Sequence, residues 1–236
     1  EGAKVAIFGR TPETIENTAA EIRAMHREAL AIKTDVSRSD EVNQSVQKVL
    51  ETWGRVDILV NNAADVSGTT AQRDPTQSPF LDWTDEAWAR QIGTTLSGVF
   101  YCMRAVIKPM IEQRSGRIIN IGSLSGVDGG YFTTPSYTAA KSGVVGMSLL
   151  AARWLGKYGI TVNVVNPGTV QTEGAVFSPS QLETIARMVP FRRGGVATDF
   201  MCLPQDIANA VLFFASDLAD YITGMKLNVV GGRYMG

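Results

Sequence analysis

A tyrosine and a lysine four residues apart, Tyr137 and Lys141 in Tyr137-Thr138-Ala139-Ala140-Lys141, are the leading candidates for chemistry in this chain. On a helix that spacing puts both side chains on one face, phenol beside ammonium. A phenol ordinarily loses its proton near pH 10, and lowering that by about three units takes roughly 4 kcal/mol. A neighbouring cation in a partly dry cleft supplies charge of the right sign. The pair could then act as a proton donor and acceptor. Taken alone, the pattern equally describes a solvated Tyr–Lys pair, so its weight comes from what surrounds it.

Three other segments are expected to converge on that helix. Ser123 stands fourteen residues before Tyr137, just past the run Ile118-Ile119-Asn120-Ile121. Asn166-Pro167-Gly168-Thr169-Val170-Gln171-Thr172 follows the run Val162-Asn163-Val164-Val165, and Ile58-Leu59-Val60 leads into Asn61-Asn62-Ala63-Ala64. Each run reads as a strand, and ligands of open α/β sheets bind at the carboxyl ends of strands. Ser125 rivals Ser123 and ranks second, because Ser123 lies nearer the strand end. Ser123 does not read as a hydrolase nucleophile: the single histidine, His26, is remote in sequence, and no Gly-x-Ser-x-Gly elbow surrounds it. One histidine and two cysteines, Cys102 and Cys202, a hundred residues apart, make no metal-type cluster.

The elements that would position these residues alternate. Further β-like runs are Val5–Phe8, Ala29–Ile32 and Leu227–Val230, mostly continuous in apolar residues, as in parallel strands covered on both faces. Helical patterns fall at 12–28, 39–53, 84–113, 136–158 and 205–215, with Thr11-Pro12-Glu13 and Thr84-Asp85-Glu86 as start signals. Alternating strand and helix imply an α/β fold, a doubly wound parallel sheet in a single domain over 1–236. Segments 65–83 and 171–204 break the rhythm. The latter carries Phe177, Met188, Val189, Phe191, Phe200, Met201 and Leu203, and reads as a lid over an apolar substrate. Twenty-two basic and twenty-three acidic residues give a net charge of −1, which disfavours nucleic-acid and anionic-membrane partners. No apolar run is long enough for a transmembrane helix, and the cysteine usage suits a reducing, cytoplasmic setting.

Together Asn61-Asn62-Ala63, Ser123, Tyr137 with Lys141, Asn166-Pro167-Gly168 and Ile222-Thr223-Gly224 resemble the short-chain dehydrogenase/reductase family over essentially the whole sequence, with a Rossmann-like fold. The resemblance implies that Tyr137 exchanges the proton and Lys141 lowers its pKa and holds the nicotinamide ribose. It implies that Ser123 hydrogen-bonds the substrate oxygen. Asp35, Val36, Asn62 and Ala63 match the adenine and ribose site, and Pro167, Gly168, Val170 and Thr172 the nicotinamide site. Gly9, Arg10 and Thr11 match the turn that selects the cofactor. Gly9 takes the place of the acid that would bind the 2′-hydroxyl of NAD, and Arg10 can pair with the 2′-phosphate, so NADP(H) is favoured. The implied reaction interconverts a ketone and a secondary alcohol. A 3-oxoacyl thioester reductase, with Arg192 and Arg193 toward an acidic carrier, is the alternative within that class. A non-catalytic NADP-binding regulator is the alternative outside it. The helices 84–113 and 136–158 resemble those of family homo-oligomers, tetramers or dimers.

Several departures from the family pattern stand out. Thr95 occupies a position usually asparagine, thought to support a proton relay to the lysine; Ala64 and Val230 replace a usual glycine and a usual acid. The family also opens with a strand and a Gly-rich turn, whereas this sequence enters at what resembles the second strand. A strand absent from between those ending at Phe8 and Val60 would leave two unpaired edges within the sheet. The expectation is that the molecule has an N-terminal segment ahead of Glu1.

Overall fold

The computed structural model describes residues 2–69, 80–130, 133–172 and 177–235. Strands and helices alternate: β1 (Val5–Gly9), α1 (Pro12–Ala24), β2 (Ala29–Lys33), α2 (Ser39–Trp53), β3 (Ile58–Asn61), α3 (Asp85–Ile92), α4 (Gly98–Gln113) and β4 (Gly116–Ile121). Then come a single turn α5 (Ser125–Asp128), α6 (Pro135–Leu155), β5 (Ile160–Pro167), α7 (Pro179–Met188), α8 (Pro204–Ala215) and β6 (Lys226–Val229). All strand pairings among the described residues are parallel, as βαβ crossovers require.

Both sheet faces are covered, which is why the central strands read as unbroken apolar runs. Ile118 and Val162 meet α2, α4 and α6 through Val46, Val106 and Val144. Their neighbours Ile119 and Val165 point the other way, onto Ala210 and Phe214 of α8. On α2, Val42, Val46 and Val49 recur at helical spacing and are buried, and Gly54, with φ of 76°, ends the helix in a left-handed turn. Gly159 is needed where it stands, because a Cβ there would lie 2.7 Å from the Arg114 carbonyl oxygen.

Three expectations need correction. The helix predicted over 84–113 is interrupted by a π-helical segment, Gly93–Ser97, which turns Thr94 and Thr95 into the interior; such insertions break the α ladder and often mark functional sites. The first helix stops at Ala24, where His26, with φ of 58°, reverses the chain. The 171–204 segment is not loop throughout, since it contains α7. That helix starts at a capping box between Ser178 and Gln181, has Pro179 in its first turn, and buries Gln181 and Ile185.

The sheet is not continuous. β1 and β2 pair as one unit and β3-β4-β5-β6 as another. Between the outer edges of β1 and β3 lies a slot of about 900 Å³, lined among others by Ala6, Phe8, Ile58, Val60, Val99 and Cys102. The two unpaired edges foreseen from the sequence are therefore present. Their consequence is visible in β3, where Ile58 and Val60 stay 39% and 41% exposed, whereas Ile118 and Ile119 of β4 are fully covered.

An unpaired parallel edge holds its amides only through water. In the polypeptide 1–236 on its own, hydrogen exchange should accordingly be faster at the slot-facing amides of β1 and β3 than at those of β4 and β5. Equal protection across the four strands would show that the slot is closed in solution.

Candidate active site

The site forms where β4 and β5 end and the first turns of α6 cross over them. Thr134 caps α6, its Oγ1 accepting a hydrogen bond from the Tyr137 amide at 3.2 Å, and Pro135 occupies the first turn. One turn on, Lys141 is 2% exposed, and its Nζ donates to the Ile121 carbonyl at the end of β4, at 2.6 Å. The ammonium lies 5.6 Å from the centre of the Tyr137 ring, so the helix does bring the pair together.

Ser123 meets them because two glycines make room. A Cβ at Gly122 would fall 2.0 Å from Asn166 Oδ1, and one at Gly126 would fall 2.7 Å from the Lys141 backbone. The β4–α5 turn can thus press against both β5 and α6. Ser123 Oγ accepts a hydrogen bond from the Ser125 amide at 3.1 Å, so the two serines differ in role: Ser125 orients and Ser123 faces the phenol. Gly143 likewise admits Leu96, whose side chain would be 3.0 Å from an added Cβ. Gly146 faces open space.

The electrostatics differ from the sequence expectation in one respect. Burial raises the Tyr137 phenol above its ordinary range, and the group that opposes this is Ser123, through its hydrogen bond. Lys141 is itself destabilised in its charged form, its pKa pushed by burial down to about 8. An ammonium has three donors and this one uses a single carbonyl, so its remaining hydrogen bonds fit hydroxyl groups arriving at the strand ends.

The remaining candidates ring this centre. Asn62 and Ala63 follow β3 and are exposed; Pro167 ends β5 and Gly168 follows it, its amide bonded to the Val229 carbonyl. Val170 pairs with Cys202 in an isolated bridge that ties the base of the 171–204 segment to the site, and Thr172 is exposed beyond it. After β2, burial pushes the Asp35 carboxyl up. Hydrogen bonds from the Ser37 side chain and amide, with Arg10 nearby, more than offset this and leave it below its usual value. Val36 packs on Gly98. Arg10 is exposed, and Thr11 caps α1 without a side-chain bond. Thr95 Oγ1 accepts from the Asp65 amide at 3.0 Å, so its bond runs to the loop after β3 and not to Lys141.

Arg192 and Arg193 are already engaged. Arg192 bonds the carbonyls of Ala186, Val189 and Phe191, and Arg193 pairs with Asp206 at 2.6 Å. Burial raises both cysteine thiols to about 11, which keeps them protonated and poor nucleophiles. Among the described residues no His, Cys, Asp and Glu cluster could hold a metal, and no helix is long and apolar enough to cross a membrane. Sequence reasoning missed Gln91, a fully buried amide beside Thr134.

Known proteins share this fold and much of this sequence. A family model described as Enoyl-(Acyl carrier protein) reductase matches residues 1–233. The chain is a short-chain dehydrogenase/reductase. It is 37% identical to the 3-oxoacyl-[acyl-carrier-protein] reductase FabG of Staphylococcus epidermidis, covering 100% of this chain and 90% of that protein. A 3-oxoacyl-[acyl-carrier-protein] reductase of Synechocystis is 36% identical over 99% of this chain and 88% of its own. The crystal structure of 3-oxoacyl-[acyl-carrier protein] reductase from Brucella melitensis superimposes with a TM-score of 0.87 at 26% identity, covering 100% of this chain and 83% of that one. This reductase accordingly works on CH–OH and C=O groups with a nicotinamide cofactor.

The buried lysine has a measurable signature. Its amine binds a proton less tightly in the folded protein than in the unfolded chain, so folding is favoured as pH rises from about 8 toward the ordinary lysine value of 10.5. Over that interval the melting temperature of the cofactor-free protein should climb relative to Lys141→Met. A constant difference would mean that Lys141 is not buried as a titrating amine.

Proposed function

We propose that this reductase uses NADPH to reduce the 3-oxo group of acyl thioesters to a secondary alcohol, with Tyr137, Lys141 and Ser123 as its catalytic residues. The observation that carries the reading is the meeting of these three at the ends of β4 and α6, on a chain similar along its length to reductases of that substrate class. When bound, the dinucleotide supplies the hydride. Ser123 Oγ and the Tyr137 hydroxyl offer hydrogen bonds where negative charge grows on the substrate oxygen. Tyr137 then gives up its phenolic proton to complete the alcohol. Lys141 holds the nicotinamide ribose and stabilises the phenolate left behind.

A phenol held protonated by burial suits reduction across neutral pH, whereas the reverse reaction needs the phenolate. Oxidation of the alcohol product should therefore rise with pH over a range where reduction is flat. Coincident pH profiles would remove Tyr137 from the role of acid and base.

The cofactor site is assigned to Gly9, Arg10, Thr11, Asp35, Val36, Asn62, Ala63, Pro167, Gly168, Val170 and Thr172, with Tyr137 and Lys141. Support for the phosphorylated cofactor comes from the turn after β1. A Cβ on Gly9 would lie 2.6 Å from Ile15 Cγ2, so an acid there would have to push the Ile15 side chain aside. Arg10 is exposed, within electrostatic reach of Asp35, and its guanidinium can pair with a 2′-phosphate. Thr95, whose oxygen already accepts from the Asp65 amide, is a candidate for the proton relay only through its hydroxyl proton, and 171–204 is assigned to a lid within one domain. Exposed Phe100, Leu149, Leu150 and Trp154 on α4 and α6 support a homo-oligomer, a dimer or tetramer, and the free thiols Cys102 and Cys202 suit a cytoplasmic location.

Acetoacetyl thioesters on coenzyme A and on acyl-carrier protein, assayed by loss of reduced-nicotinamide absorbance, test the reading. Turnover should be seen with NADPH and be abolished in Tyr137→Phe, with NADPH binding retained. NADPH binding without turnover of any carbonyl would make the chain a binding protein instead. Arg10→Ala should cut the NADPH-over-NADH preference at least tenfold, and an unchanged ratio would discard that residue.

A further inference from the structure

Gln91 lies in the last turn of α3 with no exposed surface, and all four of its hydrogen-bonding positions are filled. Its Nε2 donates to the carbonyls of Asp65 at 2.9 Å and Ser67 at 3.1 Å. Its Oε1 accepts from Thr134 Oγ1 at 2.6 Å and Ser136 Oγ at 2.5 Å. The orientation of the amide is dictated by chemistry, because two carbonyl oxygens can only accept and must therefore face the NH₂ group.

The partners on the Oε1 side are the residues that set the start of α6. Thr134 has one hydroxyl proton; directing it to Gln91 leaves the Thr134 oxygen to accept from the Tyr137 amide. Ser136, the residue before Tyr137, donates to Gln91 while accepting from Trp83 Nε1 at 2.8 Å. The partners on the Nε2 side belong to the loop that follows Asn62 and Ala63. That loop has anchors of its own: the Asp65 amide on Thr95, and Arg90 on Asp65 Oδ2 at 2.9 Å and on Ser67 Oγ at 3.1 Å. Removing Gln91 would thus free the cap of α6 more than it frees the loop.

We propose that Gln91 is a positioning residue for the reduction, locking the cap of the Tyr137 helix to the loop after β3 so that the phenol is held at a set distance from the bound cofactor. It acts through Thr134 and Ser136 and touches neither substrate nor cofactor. The inference rests on the assignment of Tyr137 as proton donor. Displacing a reacting group by about 1 Å can cost on the order of a hundredfold in rate, so a large kinetic effect is expected from a residue outside the reaction.

The test is a double-mutant cycle of Gln91→Leu and Thr134→Val, assayed with NADPH and acetoacetyl-coenzyme A. Each single variant should lower kcat about tenfold or more, while KM for the thioester and Kd for NADPH stay within about threefold. The two variants share the Gln91–Thr134 bond, while Thr134→Val also removes the acceptor of the Tyr137 amide and Gln91→Leu also releases Ser136, so the double variant should lose clearly less than the product of the two single losses. A kcat loss under threefold, a loss confined to KM or Kd, or losses that multiply would each overturn the proposal. Should Gln91→Leu fail to fold, Gln91→Glu keeps the length but places an acceptor against the Asp65 and Ser67 carbonyls, and the same outcomes apply to it. Tyr137→Phe separates this inference from the reading beneath it: full activity there defeats the assignment of Tyr137. An inactive Tyr137→Phe beside a normal Gln91→Leu defeats the positioning role alone.

Discussion

The bond from the Lys141 ammonium to the Ile121 carbonyl is the contact on which the site's geometry depends. It fastens the second turn of α6 to the end of β4, and the glycines at 122 and 126 exist to let the intervening turn fit beneath it. Burying an ammonium against one neutral carbonyl is costly, and the fall of its pKa to about 8 registers that cost. A protein selected for stability alone would put an apolar side chain here. Retaining the charge fits the proposed role, in which its other donors meet ligand hydroxyls and it stabilises a phenolate.

Polar side chains elsewhere in the interior do related work. Asn61 donates to Asn120, which in turn donates to Ser148, linking β3, β4 and α6 beneath the site. Gln91 joins α3, the loop after β3 and the cap of α6. The π-helical segment turns Thr95 inward to reach the same loop. A hydrogen bond fixes direction as well as distance, so these links can set the orientation of α6 where apolar packing alone would tolerate sliding. The β1–β3 slot is the contrasting region, with apolar side chains partly exposed and two edges unpaired.

Much of this was readable in the sequence because it is local. The four-residue step from Tyr137 to Lys141, the strand-end position of Ser123, the bounds of α2 and the double coverage of the central strands all follow from periodicities of one element. What was missed depends on contacts between elements or on competing local signals. Gln91 sits among polar residues and reads as a solvated helix face. Only the approach of α6 makes it an interior residue. The capping box of α7 was written in Ser178, Pro179 and Gln181, but the apolar residues around it suggested a lid rather than a helix. Nothing in the order of residues 93–97 distinguishes a π turn from the α-helix on either side.

By itself, then, the sequence determined the class of fold, the family, the group of polar residues that meet at the strand ends and the place where two sheet edges lie open. These depend on side-chain period and on strand order, which a linear text carries. Only the tertiary structure decided which groups set the state of the phenol. Burial raises it and Ser123 opposes, and neither solvent exclusion nor a contact between β4 and α6 is a property of any one segment. It likewise decided that Arg192 and Arg193 are held by their own chain, since a charge becomes free or paired only when the groups around it have been placed.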